Sequence, residues 1–300
     1  MLPILAVTAL VALAAGMPDS APPPSASRLD ALDRNLRTIA TGSGSAVGVS
    51  ILHLETGARA GVGGSERFQM ASVFKVPVAV AVLRAVDAGR LSLEAVVEIR
   101  PEDRRTFGPI DDTWTPGTRV SVARMLDVML VDSDNTATDK LIAMLGGPQA
   151  VQRTLDGLGL AGISVSVDEK GMGSAIRKDA AAFESGAWNG ATADAMAALL
   201  ARLWKGDLLP EAGTARLLDA MRRCRTGDRR LRAGLPAGAE VFDKTGTVGR
   251  CTNDVGIVTL PDRSHLVVAV FVRGGDDASA REATIARVAR AAWDAFAASN

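Results

Sequence analysis

The strand-forming stretches of this chain lie at its two ends, and nearly everything between them reads as helix. Near the start, V-G-V-S-I-L-H-L and a Thr56-Gly57 turn lead into A-R-A-G-V, a hairpin-like pair of strands. Near the end come A-E-V-F-D-K-T-G, N-D-V-G-I-V-T-L and H-L-V-V-A-V-F-V, separated by turn signals, and a helix from about Ala280 to Phe296. The middle carries apolar residues at the helical period with glycine stops, as in S-V-A-R-M-L-D-V-M-L-V-D, N-T-A-T-D-K-L-I-A-M-L-G-G and T-A-D-A-M-A-A-L-L-A-R-L-W. Between Ile163 and Thr192 this pattern dissolves, which predicts a long irregular segment of the kind that is usually functional or mobile. The order implies an α/β domain built from residues 28–66 and 210–300, with an all-helical domain, 67–209, inserted between them. A groove between two such units is a natural ligand site.

Composition narrows the function classes. At 47% hydrophobic content, 300 residues can bury a large core. The 34 basic and 34 acidic residues balance, so nothing points to nucleic acid or an anionic membrane surface. His53 and His265 are far apart in sequence, with no acidic or cysteine cluster beside either, so no metal site is expected. The apolar start M-L-P-I-L-A-V-T-A-L-V-A-L-A-A-G is short for a membrane span, and small residues near Ala12 and Ala14 suit signal-peptide cleavage. With the Pro/Ser/Ala spacer that follows, residues 1–27 read as a leader and linker, with mature structure starting near Arg28. In an exported protein the pair Cys224 and Cys251 favours a disulfide.

Three motifs carry chemistry. M-A-S-V-F-K-V-P places Ser72 and Lys75 three apart at the entrance of a long apolar helix that ends near Gly89. Residues so spaced share a helix face, and a serine hydroxyl becomes a good nucleophile only when a neighbouring base removes its proton. Ser133, Asp134 and Asn135 stand in a break between two helices, where Asp134 can equally serve only to hold the loop. Lys244, Thr245, Gly246 and Thr247 close a strand. If Lys75 and Lys244 face one groove, burial and like charge depress a lysine pKa and favour a neutral base.

S-x-x-K, S-D-N and K-T-G in this order resemble the class A serine β-lactamases of the penicillin-recognising serine hydrolases, over almost the whole mature chain. A-D-A-M-A-A-L-L, R-L-R-A-G-L-P-A-G and N-D-V-G-I-V-T-L-P are similar to that family too. The resemblance implies a β-lactamase/transpeptidase-like fold, an antiparallel sheet flanked by helices with the helical domain inserted. It also implies hydrolysis of β-lactam antibiotics, and so resistance, by a periplasmic or secreted monomer without cofactor or membrane anchor.

In that reading Ser72 is acylated, Lys75 is the base, Ser133 relays a proton to the departing ring nitrogen, and Asn135 binds a substrate amide. The backbone N–H groups of Ser72 and Thr247 face the oxyanion, and Lys244, Thr245, Gly246 and Thr247 line the substrate. The substrate carboxylate needs a cation, which the family often supplies near the place of Thr252. Here T-G-D-R-R-L-R offers Arg230, with Arg229 beside it, as the alternative. Phe107 resembles an aromatic at the groove entrance. The deacylating glutamate aligns with Glu169, with Asp168 and Glu184 as rivals. The chain departs from the family at Gly173, where an asparagine is usual, and at Val167, where an arginine is usual. Two alternatives therefore stay open: a D,D-peptidase acting on peptidoglycan stem peptides, and a penicillin-binding sensor that stays acylated.

Overall fold

A computed structural model describes residues 25–105, 114, 115 and 117–297. Of the expected leader and linker, 1–27, residues 1–24 lie outside the described residues, as does Phe107. The chain opens with helix α1 (Ala26–Gly42), starting two residues before the expected Arg28 because the Ser25 hydroxyl caps it. Strands β1 (Ala46–His53), β2 (Arg59–Val62) and β3 (Arg67–Gln69) lead to a 3-10 turn, Ala71–Phe74, and helix α2 (Lys75–Asp87). Next come β4 (Val96–Glu98), β5 (Arg119–Ser121), α3 (Val122–Val131), α4 (Asn135–Leu145) and α5 (Pro148–Gly157). Helices α6 (Glu169–Lys178) and α7 (Ala180–Glu184) precede β6 (Gly190–Thr192), α8 (Ala193–Trp204), α9 (Glu211–Arg222) and the short α10 (Leu231–Gly234). Strands β7 (Val241–Val248), β8 (Cys251–Thr259) and β9 (His265–Arg273) are followed by α11 (Ala278–Phe296).

Five strands form one sheet in the order β2-β1-β9-β8-β7, every pairing antiparallel. The two chain ends meet where β1 pairs with β9, Val49 opposite Val270. Helices α1 and α11 cover one face, burying Leu32, Leu36, Ile285 and Val288 against Val49, Ile51 and Val268. On the other face Val255, Ile257, Val267 and Phe271 join the apolar cluster of the helical part. Helix α2 sits at the centre of that cluster, buried on all sides from Val76 to Leu83. Pro77 is tolerated there because first-turn N–H groups have no partner within the helix.

Strand β7 is one edge of the sheet, and the Ala71–Phe74 turn packs beside it.

The expectation of an irregular 163–192 segment is corrected. It holds α6 and α7, each begun by an aspartate whose carboxylate accepts a backbone N–H: Asp168 from Gly171 at 2.7 Å and Asp179 from Ala182 at 2.9 Å. The histidines are also closer than sequence suggests: His53 and His265 lie on paired strands, with Glu55 between their Nδ1 atoms at 3.7 and 2.8 Å.

Candidate active site

The turn that carries Ser72 is held from three sides. Strand β3 pairs with β6, and the Met70 N–H continues that contact by donating to Asn189 O at 2.9 Å. The buried Asn253 amide donates to Gln69 O at 2.8 Å and Met70 O at 3.0 Å. Gly246 lets β7 approach: a Cβ there would stand 2.5 Å from Met70 O and 3.0 Å from the backbone nitrogens of Ser72 and Val73. Such crowding against backbone is not relieved by a side-chain rotation, so only glycine fits. Ala71, just before Ser72, has φ of 46°, strained for a residue with a Cβ. Ser72 is half-buried, and Thr247 is exposed beside it.

Lys75 is fully buried and opens α2. Its ammonium donates to Ser133 O at 2.6 Å, Ser133 Oγ at 3.2 Å and Asn135 Oδ1 at 2.5 Å, rather than to the Ser72 hydroxyl. Glu169 Oε1 completes the ring 3.1 Å away. Lys244 Nζ donates to Ser133 Oγ from the other side at 3.0 Å, so one hydroxyl sits between two lysines. Burial, with a smaller push from the Lys75 charge, brings the Lys244 ammonium down to about 8, while Cys224, Asp243 and Asp254 oppose the shift. Ser133 has φ of 61°, a second strained non-glycine residue in the site.

Asp134 holds the break between helices. Its buried carboxylate caps α4, accepting from the Ala137 N–H at 2.6 Å, and accepts from Trp114 Nε1 at 2.8 Å.

Glu169 is the first residue of α6, and its backbone is fixed by a residue the sequence reading missed. Asp139 Oδ1 accepts from the Glu169 N–H at 2.7 Å, while Oδ2 accepts from the Lys170 N–H at 3.1 Å and Arg105 Nε at 2.5 Å. Burial raises the Asp139 carboxyl to about 6 despite these donors. The available signal was position: Asp139 lies one turn after Asn135 in α4, on the same helix face. Asn189 fixes the run into Glu169, accepting from the Ser166 and Val167 N–H groups and donating to Val167 O at 2.9 Å. Of the rival carboxylates, Asp168 is the α6 cap, and Glu184 is paired with Arg250. Gly173 falls one turn after Glu169 within α6.

Beside Gly246 and Thr247 the two adjacent arginines separate. Arg230 is buried and donates to Thr247 Oγ1 at 2.5 Å and to Asn253 O at 3.0 Å, whereas the Arg229 side chain is 76% exposed. Glu282 of α11 pairs with both. Thr245 Oγ1 meets Thr226 Oγ1 at 2.5 Å, and its carbonyl accepts from Lys244 Nζ. Thr252, where the family's usual arginine would fall, instead accepts from Arg281 Nε of α11 at 2.9 Å. That contact joins residues 29 apart and had no local signal.

The expected disulfide is absent: Cys224 and Cys251 are both free and buried. Cys224 Sγ lies by Thr226, whose hydroxyl bonds Thr245, whereas Cys251 pairs with Val248 and its thiol donates to Glu184 O. Three strand residues, about 10 Å, separate those two places on β7, beyond the roughly 7 Å between Cα atoms that a disulfide spans. Burial raises both thiols, Cys251 to about 12.

A serine turn against an edge strand, beside a second serine hydroxyl held between two lysines, has the parts that serine acyl transfer requires. The sequence matches the β-lactamase enzyme family over residues 31–296, and the chain belongs to that family. Beta-lactamase VEB-1 of Pseudomonas aeruginosa is 31% identical over 278 residues, 89% of this chain and 91% of that protein. The crystal structure of a β-lactamase from Chitinophaga pinensis superposes with a TM-score of 0.83 at 36% identity, covering 88% of this chain and 99% of that one. An acyl-enzyme complex of PBP-A with penicillin G is similar at 28% identity, with a TM-score of 0.79 and coverage of 92% and 98%.

Proposed function

We propose that this chain hydrolyses β-lactams through an acyl-enzyme on Ser72. The observation that carries the reading is the buried Lys75 ammonium, bonded to Ser133 and Asn135 and 3.1 Å from Glu169, one turn from the serine. Lys75 becomes a base by passing a proton to Glu169 across that contact. The neutral amine takes the Ser72 proton as Oγ attacks the lactam carbonyl, and N–H groups of Ser72 and Thr247 receive the oxyanion. When the C–N bond breaks, Ser133 gives its proton to the ring nitrogen and regains one from Lys75. Glu169 then returns its proton to Lys75. In the second half Glu169 takes a proton from water, the hydroxide attacks the ester, and the Ser72 oxygen leaves with that proton.

Lys244 and Arg230 supply positive charge for the substrate carboxylate, and Asn135 orients the acyl side-chain amide. Protection against β-lactams follows if the protein is exported to the periplasm or medium, as the apolar leader suggests. No helix among the described residues is long and apolar enough to cross a membrane. Gly173, and the likeness to PBP-A, favour a second reading in which the acyl-enzyme persists.

Purified protein with a chromogenic cephalosporin, followed by absorbance and intact mass, separates the two. Turnover supports the hydrolase, and a lasting adduct supports the penicillin-binding reading. Glu169→Gln should still acylate but accumulate the adduct, because an amide takes no proton. Ser72→Ala should form none, and a covalent adduct on that variant would overturn the assignment.

A further inference from the structure

Arg105 takes no part in the steps above, yet four bonds fix it. Its backbone N–H donates to Thr136 Oγ1 at 2.9 Å, Nη1 donates to Glu102 O at 2.9 Å and Arg104 O at 3.1 Å, and Nε donates to Asp139 Oδ2 at 2.5 Å. Beside it Lys140 Nζ donates to Asp103 Oδ2, also at 2.5 Å. Thr136, Asp139 and Lys140 stand three and four apart in α4, so one face of that helix holds the 103–105 stretch. Asp139 is the joint between this stretch and α6: Oδ2 takes Arg105 together with the Lys170 N–H, and Oδ1 takes the Glu169 N–H. The Glu169 carboxylate that follows ends 3.1 Å from Lys75.

Three N–H donors on one carboxyl group suit its ionised form, because a protonated carboxyl turns one of its oxygens into a donor. Burial works against that form, Arg105 works for it, and the nearby Asp168 charge adds to the opposition. Among the described residues Arg105 is the one cation that pairs with Asp139. Lys140 of the same helix is engaged by Asp103, and Lys75 of α2 by Ser133, Asn135 and Glu169. On the helices packed around α4, Arg84 with Asp87 and Arg124 with Asp127 are paired, and Arg153, Asp156 and Lys170 are exposed. Only 19% of the Arg105 side chain and 4% of that of Asp139 are exposed, so salt screens their contact little. We propose that Arg105 is a positioning residue for deacylation: it holds Asp139 as an acceptor, and through it the start of α6 and the Glu169 carboxylate. The inference rests on the acyl-enzyme reading, with Glu169 as the base of its second half. A carboxyl that loses an opposite charge at this distance rises by about 1–3 pH units. Asp139, at about 6 with Arg105 in place, is then no more than about half ionised at pH 7.

The test measures acylation and deacylation of Ser72 separately, with a chromogenic cephalosporin and rapid-quench intact mass from about pH 5 to about pH 9. Melting curves serve as a folding control. The variants are Arg105→Gln, Arg105→Met, which keeps the packing of the stem, Asp139→Asn, and Arg105→Gln combined with Asp139→Asn. Both Arg105 variants should be acylated at nearly the wild-type rate and deacylate roughly two- to tenfold more slowly at pH 7. As pH is lowered their deacylation should fall away about one pH unit or more above the wild type, and it should recover near about pH 9, which a merely loosened fold would not do. With Asp139→Asn in place, Arg105→Gln should slow deacylation no further. An acid limb that does not move in a folded Arg105 variant, or the same slowing on top of Asp139→Asn, overturns the positioning role. A wild type that is never acylated, or is acylated and never released, overturns the hydrolytic reading and this role with it, a result distinct from release with an unmoved limb.

Discussion

Replacing Asp139 with alanine should separate the two halves of the reaction. The carboxylate accepts from the Glu169 and Lys170 N–H groups at the start of α6 and from Arg105 Nε. Removing it orphans two amides at a helix N-terminus and the Nε of Arg105, whose Nη1 keeps the Glu102 and Arg104 carbonyls, each orphan costing about 1–3 kcal/mol. The loss is partly offset because Asp139 is itself disfavoured as an anion, its carboxyl raised to about 6 by burial. A net destabilisation of about 2–4 kcal/mol follows, read by urea unfolding.

For catalysis the consequence is positional. Glu169 loses the fixed start of its helix, and under the proposed mechanism a displacement of about 1 Å can cost on the order of 100-fold in deacylation. Acylation, driven from the Lys75 side, should change much less. Rapid-quench intact mass should therefore show acyl-enzyme building up in Asp139→Ala at nearly the wild-type rate and decaying far more slowly. The pH dependence has opposite signs for function and stability. Below about pH 6 Asp139 takes up a proton and gives up acceptor capacity at Glu169, so deacylation should fall. A carboxyl with a folded pKa above its unfolded value binds the proton more tightly when folded, so this group's contribution to stability rises as pH falls from about 6 towards about 4. Wild-type deacylation by Asp139→Ala, in a folded protein, would refute the positioning argument.

Two further outcomes are expected. Because burial holds Lys244 near 8, kcat/KM for carboxylate-bearing substrates should fall through an alkaline limb near pH 8, as the free enzyme loses the charge that recruits them; Lys244→Arg should remove that limb. With Cys224 and Cys251 free and buried, a reducing agent should leave Tm unchanged, and a fall of several degrees would reinstate the disulfide.

The sequence by itself determined the parts with a local period or a fixed short spacing. The helical runs, the terminal strands, Ser72 with Lys75 one turn on, and the S-D-N break are legible because each is set within a few residues. It also carried the family likeness, and with it the antiparallel sheet flanked by helices. Helices α6 and α7 went unread because Gly171, Gly173 and short length blur their period, although their caps, Asp168 and Asp179, were in plain view.

What only the tertiary structure decided are the meetings across long separations. Asp139 reaches Glu169 over 30 positions, and Asn253 steadies Gln69 and Met70 over more than 180. Arg230 turns inward while Arg229 turns to solvent, and Glu184 reaches Arg250. The cysteines end up apart because the register of β7 on β8 puts Cys251 opposite Val248, while Cys224 is carried to the level of Thr245. Side-chain identity fixes what a residue can bond to. Which partner it meets depends on strand register and helix packing, and these are settled by burial of the whole core rather than by any short stretch of chain.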